Sequence, residues 1–288
     1  MSRWDGKTKG PLLGYQILFF VIKTVGLPFT YFILRFVSYY YFLFEIEKRN
    51  LTIDFYMRSF NYTYKESRSL TRKNFYILAQ TLVDGIAFLV GKGERFTHNF
   101  NNEQYLIDIK NGNKGGILLS AHVGNWETAG NLLKERITSQ INVVMLDAEV
   151  EKIKNFLQNS TGGSHFNIIP IKNDLSHIIL INNALRNNEF VAIHADRFME
   201  GAKHLEMDFL GRKAKFPAGP FIIAAKFDAP VSFVYAVKNG KYHYELSATK
   251  PIEEKLSPEI VAQLYVKELE TKVKSNPEQW FNYFDFYQ

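Results

Sequence analysis

Apolar and polar positions follow three different patterns along this chain, and each predicts a different layer of structure. From Pro11 to Phe44 the sequence PLLGYQILFFVIKTVGLPFTYFILRFVSYYYFLF is apolar or aromatic at most positions, with Lys23 and Arg35 as its charged interruptions. Each uncharged run is shorter than the roughly 20 residues of a clean bilayer span. Lysine and arginine can snorkel, and aromatic rings suit the headgroup boundary. The pattern therefore predicts interfacial or re-entrant helices, with one tilted span or a buried helical hairpin as alternatives. From Glu45 to about Gly91, charged clusters such as Lys65, Glu66, Arg68, Arg72 and Lys73 alternate with apolar positions. Within that stretch Tyr76, Leu78, Leu82, Ile86 and Leu89 keep roughly helical spacing until Gly91 and Gly93 supply a stop.

Beyond Gly115 the third pattern begins, with short apolar runs separated by turn signals and helical stretches. The strand candidates are Gly116 to Ala121, Ile141 to Leu146, Phe166 to Ile171, Phe190 to Ala195, Val231 to Val237 and Tyr242 to Ala248. Several are continuous and rich in Val and Ile, as strands buried on both faces are. At the end, Ser257-Pro258 offers an N-cap and a first-turn proline, and Val261, Tyr265, Leu269 and Val273 recur every fourth residue of an amphipathic helix. The expected class is α/β, a largely parallel central sheet flanked by helices, preceded by an apolar membrane-associated helical N-terminus. Residues 1–50 form that terminus; residues 51–288 form one further domain, with a helical layer over 51–110, an α/β core over 111–250 and a closing helix over 255–275.

Composition narrows the partners. The 288 residues carry a formal charge of +6, which favours an anionic partner: nucleic acid, an acidic carrier protein or an anionic membrane surface. The positive residues are scattered and no nucleic-acid recognition motif accompanies them, so nucleic acid is set aside. Cysteine is absent, which excludes disulfides, thiolate metal sites and a cysteine nucleophile. The basic start, with Arg3, Lys7 and Lys9, precedes the apolar segment without a small-residue cleavage site, and its charges suit the cytoplasmic leaflet.

The most informative residues are Ala121 to Gly130, AHVGNWETAG, directly after the buried-strand candidate GGILLS. His122 thus stands at the carboxyl end of a strand, where open α/β sheets bind ligands. Glu127 falls in the first turns of the next helix, from which a carboxylate can fold back to fix the imidazole tautomer. A histidine so held is a general base for a hydroxyl. The spacing alone also fits two ordinary polar residues. No G-x-S-x-G elbow, P-loop or H-E-x-x-H spacing is found, so no metal and no cofactor is expected. His165, His177 and His194 receive no role.

The string Ser-Ala-His-Val-Gly-Asn-Trp-Glu resembles the first motif of the lipid A biosynthesis acyltransferase family, which ends in glutamate at the position where glycerol-phosphate acyltransferases carry aspartate. Residues 184–225 resemble that family's second block through Asp196, Leu210-Gly211, Pro217 and Gly219, and NPEQWFNYFDFYQ is similar to its carboxyl-terminal region. The chain departs from many members at Phe281, Asn282, Tyr283 and Phe284, where a tryptophan and a basic pair are common. The resemblance implies direct acyl transfer from acyl carrier protein or acyl-CoA to a hydroxyl of an anionic membrane lipid. A lipid A precursor of lipopolysaccharide synthesis, at the cytoplasmic face of the inner membrane, is the expected acceptor. His122 and Glu127 would be catalytic.

Substrate binding is assigned to Asn125, Asp196, Arg197, Arg212, Lys213, Lys215 and Gly219. Arg197 closes the strand FVAIHA beside His122 if the sheet is parallel, and arginine binds phosphate in a bidentate manner; a surface ion pair is the alternative. Arg212, Lys213 and Lys215 form a basic cluster suited to headgroups or an acidic carrier, or simply a solvated loop. Gly219 opens a helix whose amides can hold a phosphate or polarise a carbonyl. Asn125 can equally order its turn, and Trp126 can pack against an acyl chain. Acylation of another amphiphile (an amino lipid, a glycolipid or a polyene pigment) and noncatalytic lipid binding remain as rival functions.

Overall fold

The computed structural model describes residues 12–133, 139–146, 167–172, 174–197 and 201–287. The expectation for the basic start lies outside the described residues.

The apolar entry forms two helices, α1 (Leu12–Thr24) and α2 (Leu27–Phe44). They break at Gly26, which adopts φ +91°, and Pro28 then sits in the first turn of α2, where its missing N–H is harmless. The face Leu27, Thr30, Tyr31, Leu34, Ser38 and Phe42 is buried at helical spacing. The opposite face leaves Phe29, Phe32, Phe36, Tyr40 and Phe44 exposed, Phe36 at 64% and Phe44 at 66%. The pair is therefore packed on one side and aromatic on the other. Among the described residues no helix is long and apolar enough to cross a membrane.

Two further helices, α3 (Ile46–Phe60) and α4 (Tyr64–Leu89), complete this layer. Asn61 ends α3 in the left-handed region, and Thr63 and Glu66 form a reciprocal capping box that starts α4. α4 stops before Gly91, which has φ +73°, as its sequence predicts. α4 carries Asp84, fully buried, whose carboxylate accepts from Lys238 Nζ, Tyr31 Oη and Tyr244 Oη. Burial pushes the Asp84 carboxyl up and the Lys238 ammonium down, and the contact between them opposes both shifts. Breaking such a pair by deleting one partner leaves a buried charge uncompensated, which costs about 3–5 kcal/mol. This cluster joins α2 and α4 to the sheet.

After these come β1 (Thr97–Asn101), α5 (Glu103–Asn111), β2 (Gly116–Ser120), α6 (Trp126–Leu133), β3 (Ile141–Leu146) and β4 (Asn167–Ile171). The chain continues through α7 (Ser176–Arg186), β5 (Phe190–His194), β6 (His204–Phe209), β7 (Arg212–Pro217) and α8 (Ala218–Lys226). It ends with β8 (Val231–Lys238), β9 (His243–Ala248) and α9 (Pro258–Ser275). Seven strands form one sheet in the order β1-β9-β8-β2-β5-β3-β4. Its pairings are parallel except for the antiparallel hairpin β8–β9. The largely parallel sheet flanked by helices is as expected, and each strand candidate recurs within a residue or two; Phe166 lies outside the described residues.

β2 runs between β5 and β8, and all five of its residues are buried. The register sets Ser120 opposite His194, so the chain leaves β2 and β5 side by side at the same edge of the sheet. β6 and β7 form a separate hairpin around Leu210 and Gly211, both at positive φ, as a two-residue type I′ turn requires. α9 starts on its Ser257 cap and buries Val261, Tyr265, Leu269 and Val273 against the core.

Candidate active site

Two residues after β2, His122 turns back across the end of β5. Its Nδ1 lies 2.7 Å from Asp196 Oδ1, and its backbone N–H donates to Asp196 Oδ2 at 3.0 Å. The Trp280 indole N–H donates to the same Oδ2 at 3.1 Å. Asp196 is 1% exposed, so these donors replace the water a carboxylate otherwise holds. Burial alone would push this carboxyl up; the proximity and hydrogen bond of His122, with the charge of Arg197, prevail and hold it well below the usual carboxylate range. A carboxylate that stays ionised against Nδ1 takes the proton-bearing nitrogen of the neutral ring. Nε2 then keeps its lone pair.

Burial, followed by the positive charge of Arg197, lowers the His122 pKa from its ordinary 6.5; Asp196 works in the opposite direction and does not outweigh them. His122 is thus neutral at neutral pH. Its side chain is 24% exposed, which leaves an approach for a substrate. Its ring also stacks on His194, with centroids 4.5 Å apart and planes tilted by 30°. One ring nitrogen each of His122 and His194 and one carboxylate oxygen of Asp196 fall within 4.8 Å of one another. The 2.7 Å bond between His122 and Asp196 already uses one nitrogen and one oxygen of that set.

The carboxyl-terminal segment builds this arrangement. Gln279 is buried, and its carboxamide pairs with the backbone of Lys238 at the end of β8, accepting at 2.7 Å and donating at 2.8 Å. That docking brings the next residue, Trp280, onto Asp196. The segment also accepts from Gly124 N–H at the Gln279 carbonyl (2.9 Å) and donates from Phe281 N–H to the His122 carbonyl (2.9 Å). The loop carrying His122 is held along its length. Gly124 adopts φ +72°, and a Cβ there would stand 1.9 Å from the Ala236 carbonyl oxygen. Only glycine allows this approach to β8.

The other expected site residues fall in different places. Glu127 is the second residue of α6, and its side chain lies outside the described residues; the place at Nδ1 that the sequence assigns to Glu127 is held by Asp196. Asn125 is buried and internally used: its Nδ2 donates to the Thr81 carbonyl at 2.9 Å and its Oδ1 accepts from Thr128 N–H at 3.1 Å, capping α6. Its action is to order the turn. Arg197 lies beside the pair and donates to the Phe281 carbonyl. Arg212, Lys213 and Lys215 lie on β7, which starts directly after the Leu210-Gly211 turn: Arg212 stands over the Tyr287 ring, Lys213 pairs with Asp208 at 3.0 Å, and Lys215 faces Glu206 in the register. At α8 the Ala218 N–H is taken by the Lys203 carbonyl, while the space around Gly219 is open.

Trp280 and His194 are the site neighbours that the sequence reading passes over. His194 had a signal, since it precedes Asp196 by two residues and strand periodicity puts both on one side. Trp280 had none beyond the resemblance of its segment. From this geometry, Gly124→Ala should lower the thermal midpoint by several degrees and reduce turnover at least tenfold, while Gly219→Ala, in open space, should do neither. Parallel melting curves and rate measurements on the two variants check this.

A family model described as bacterial lipid A biosynthesis acyltransferase matches residues 12–284. No match was found among curated proteins. With nearly its whole length matched, the chain belongs to the bacterial lipid A biosynthesis acyltransferase family and is an acyltransferase that acts on a lipid.

Proposed function

We propose that this acyltransferase moves a fatty acyl group from a thioester, carried on acyl carrier protein or on coenzyme A, to a hydroxyl of a membrane lipid, with a lipid A precursor as acceptor. The observation that carries this reading is the neutral His122, with Asp196 fixed on Nδ1 and Nε2 left free, at the carboxyl edge of adjacent parallel strands. His122 Nε2 takes the hydroxyl proton as the oxygen attacks the thioester carbonyl, and the proton then goes to the departing thiolate. Asp196 stabilises the imidazolium formed between these steps. Arg197 adds a fixed positive charge beside the site for an anionic group of either substrate. Glu127, in the first turn of the following helix, is assigned to the same catalytic group.

The exposed aromatic face of α1 and α2 supports a place at the membrane surface, with the rings in the headgroup layer of the inner membrane's cytoplasmic leaflet. Phe32→Glu combined with Phe36→Glu should abolish co-flotation with anionic phospholipid vesicles and leave the thermal midpoint within a few degrees of the parent's. Undiminished flotation of that variant would count against the assignment.

The reaction is tested with purified protein, acyl carrier and acyl-CoA donors, and a lipid A precursor alongside a membrane lipid extract, read by mass spectrometry. One acceptor should gain a single acyl mass. His122→Ala should slow the transfer by about 10²–10⁴-fold, the usual range for a positioned general base, and Asp196→Asn by a similar factor. Because the base must be neutral and its pKa is lowered, kcat/KM should fall on the acid side only below pH 6.5. Arg197→Gln removes a positive charge that depresses His122 and should move that limb upward. A His122→Ala variant as active as the parent contradicts the mechanism.

A further inference from the structure

His194 is a half-buried titratable group beside His122 that the transfer chemistry described above leaves unused. It is the last residue of β5, and the ladder runs one step further, with Ala195 N–H donating to the Ser120 carbonyl at 2.9 Å. Strand alternation therefore keeps His194 and Asp196 on one side, and both meet His122: Asp196 at the edge of its ring, His194 on its face. Trp126 closes the far flank of His194, edge-on at 5.6 Å and 76°.

Packing does not account for a histidine here. Its Nδ1 is buried with no hydrogen-bond partner, an expense that phenylalanine or leucine would avoid in the same stack. A buried lone pair without a partner is less costly than a buried N–H without one, which places the proton on Nε2. The residue is partly exposed, and a ring nitrogen of it lies within 4.8 Å of one of His122. A carbonyl attacked by a hydroxyl that rests about 3 Å from His122 is then within reach of the second ring.

We propose that His194 is a further catalytic residue, whose Nε2–H donates to the thioester carbonyl oxygen and stabilises the negative charge that gathers there. This rests on the assignment of His122 as base. When the acceptor oxygen bonds to the carbonyl carbon, the carbonyl electron pair moves to oxygen, where the His194 N–H meets it. Collapse restores the double bond and breaks the carbon–sulfur bond, and the thiolate takes the proton held by His122. The donor must stay neutral throughout. Burial, then the neighbouring His122, pushes the His194 pKa down to about 3, so it neither competes for the hydroxyl proton nor repels the imidazolium. Neutral imidazoles serve as such electrophiles elsewhere.

The test compares three variants of the full chain. His194→Phe keeps a ring in the stack and removes the donor; His194→Asn places its amide near the Nδ1 position; His194→Gln places an N–H near the Nε2 position. Single oxyanion donors are worth about 10²–10³-fold in kcat. The Phe and Asn variants should lose about 100-fold in kcat with KM for donor and acceptor within about threefold of the parent, and the Gln variant should recover at least tenfold of that loss. Thermal midpoints and His122→Ala are measured alongside. If the Phe variant turns over like the parent, or if all three lose activity equally, the His194 assignment falls while that of His122 stands. If His122→Ala retains activity, the base assignment falls instead.

Discussion

One buried carboxylate organises the functional end of this molecule. Asp196 is buried, and its charge is held by the N–H groups that the His122 amide, the His122 ring and the Trp280 indole aim at it, with the charge of Arg197 beside them. Each donor belongs to a different piece of chain geometry: the loop after β2, the side chain it carries, and the segment after α9. Remove the carboxylate and three buried donors lose their acceptor, each worth about 1–3 kcal/mol when left unsatisfied. The same contact orients the imidazole. Stability and chemistry therefore rest on one group.

The remainder of the fold serves that contact at increasing distance. Parallel pairing of β2 with β5 brings His122 and Asp196 together although 73 residues lie between them in sequence. Tyr265 of α9 donates to the Ser120 carbonyl at 2.8 Å and ties the end of β2 to the closing helix. Gln279 fixes the last segment to β8, and Lys238 of that strand also reaches Asp84 beneath the aromatic helices. The N-terminal layer and the edge that carries His122 are thus joined by adjacent contacts on a single strand. Asn125 adds a second tie, from the turn after His122 to Thr81 on α4.

The legible part of this structure was what repeats along the chain. Continuous Val- and Ile-rich runs mark the buried strands, four-residue spacing marks α9, and a histidine after GGILLS marks the carboxyl edge. β1 escaped because THNFN has one large apolar residue and pairs through its backbone. β6 is missing from the strand candidates although HLEMDF alternates polar and apolar positions. Contacts between distant segments left no such trace. The sequence reading looks for the partner of His122 locally, in Glu127 at the start of the next helix; the described partner at Nδ1 comes from the end of the neighbouring strand β5. Asn125 and the β7 lysines are assigned to substrate as polar residues near a motif; in the structure the amide caps α6, and the exposed Lys213 pairs with Asp208.

The account turns on the protonation of one ring, and 15N NMR of the protein with labelled histidine, titrated with pH and assigned through His122→Gln, reads it directly. Nδ1 of His122 should carry the proton and Nε2 should show the shift of an unprotonated nitrogen at pH 7, persisting below pH 6.5. A His122 that is cationic at pH 7, or neutral with its proton on Nε2, would contradict the account.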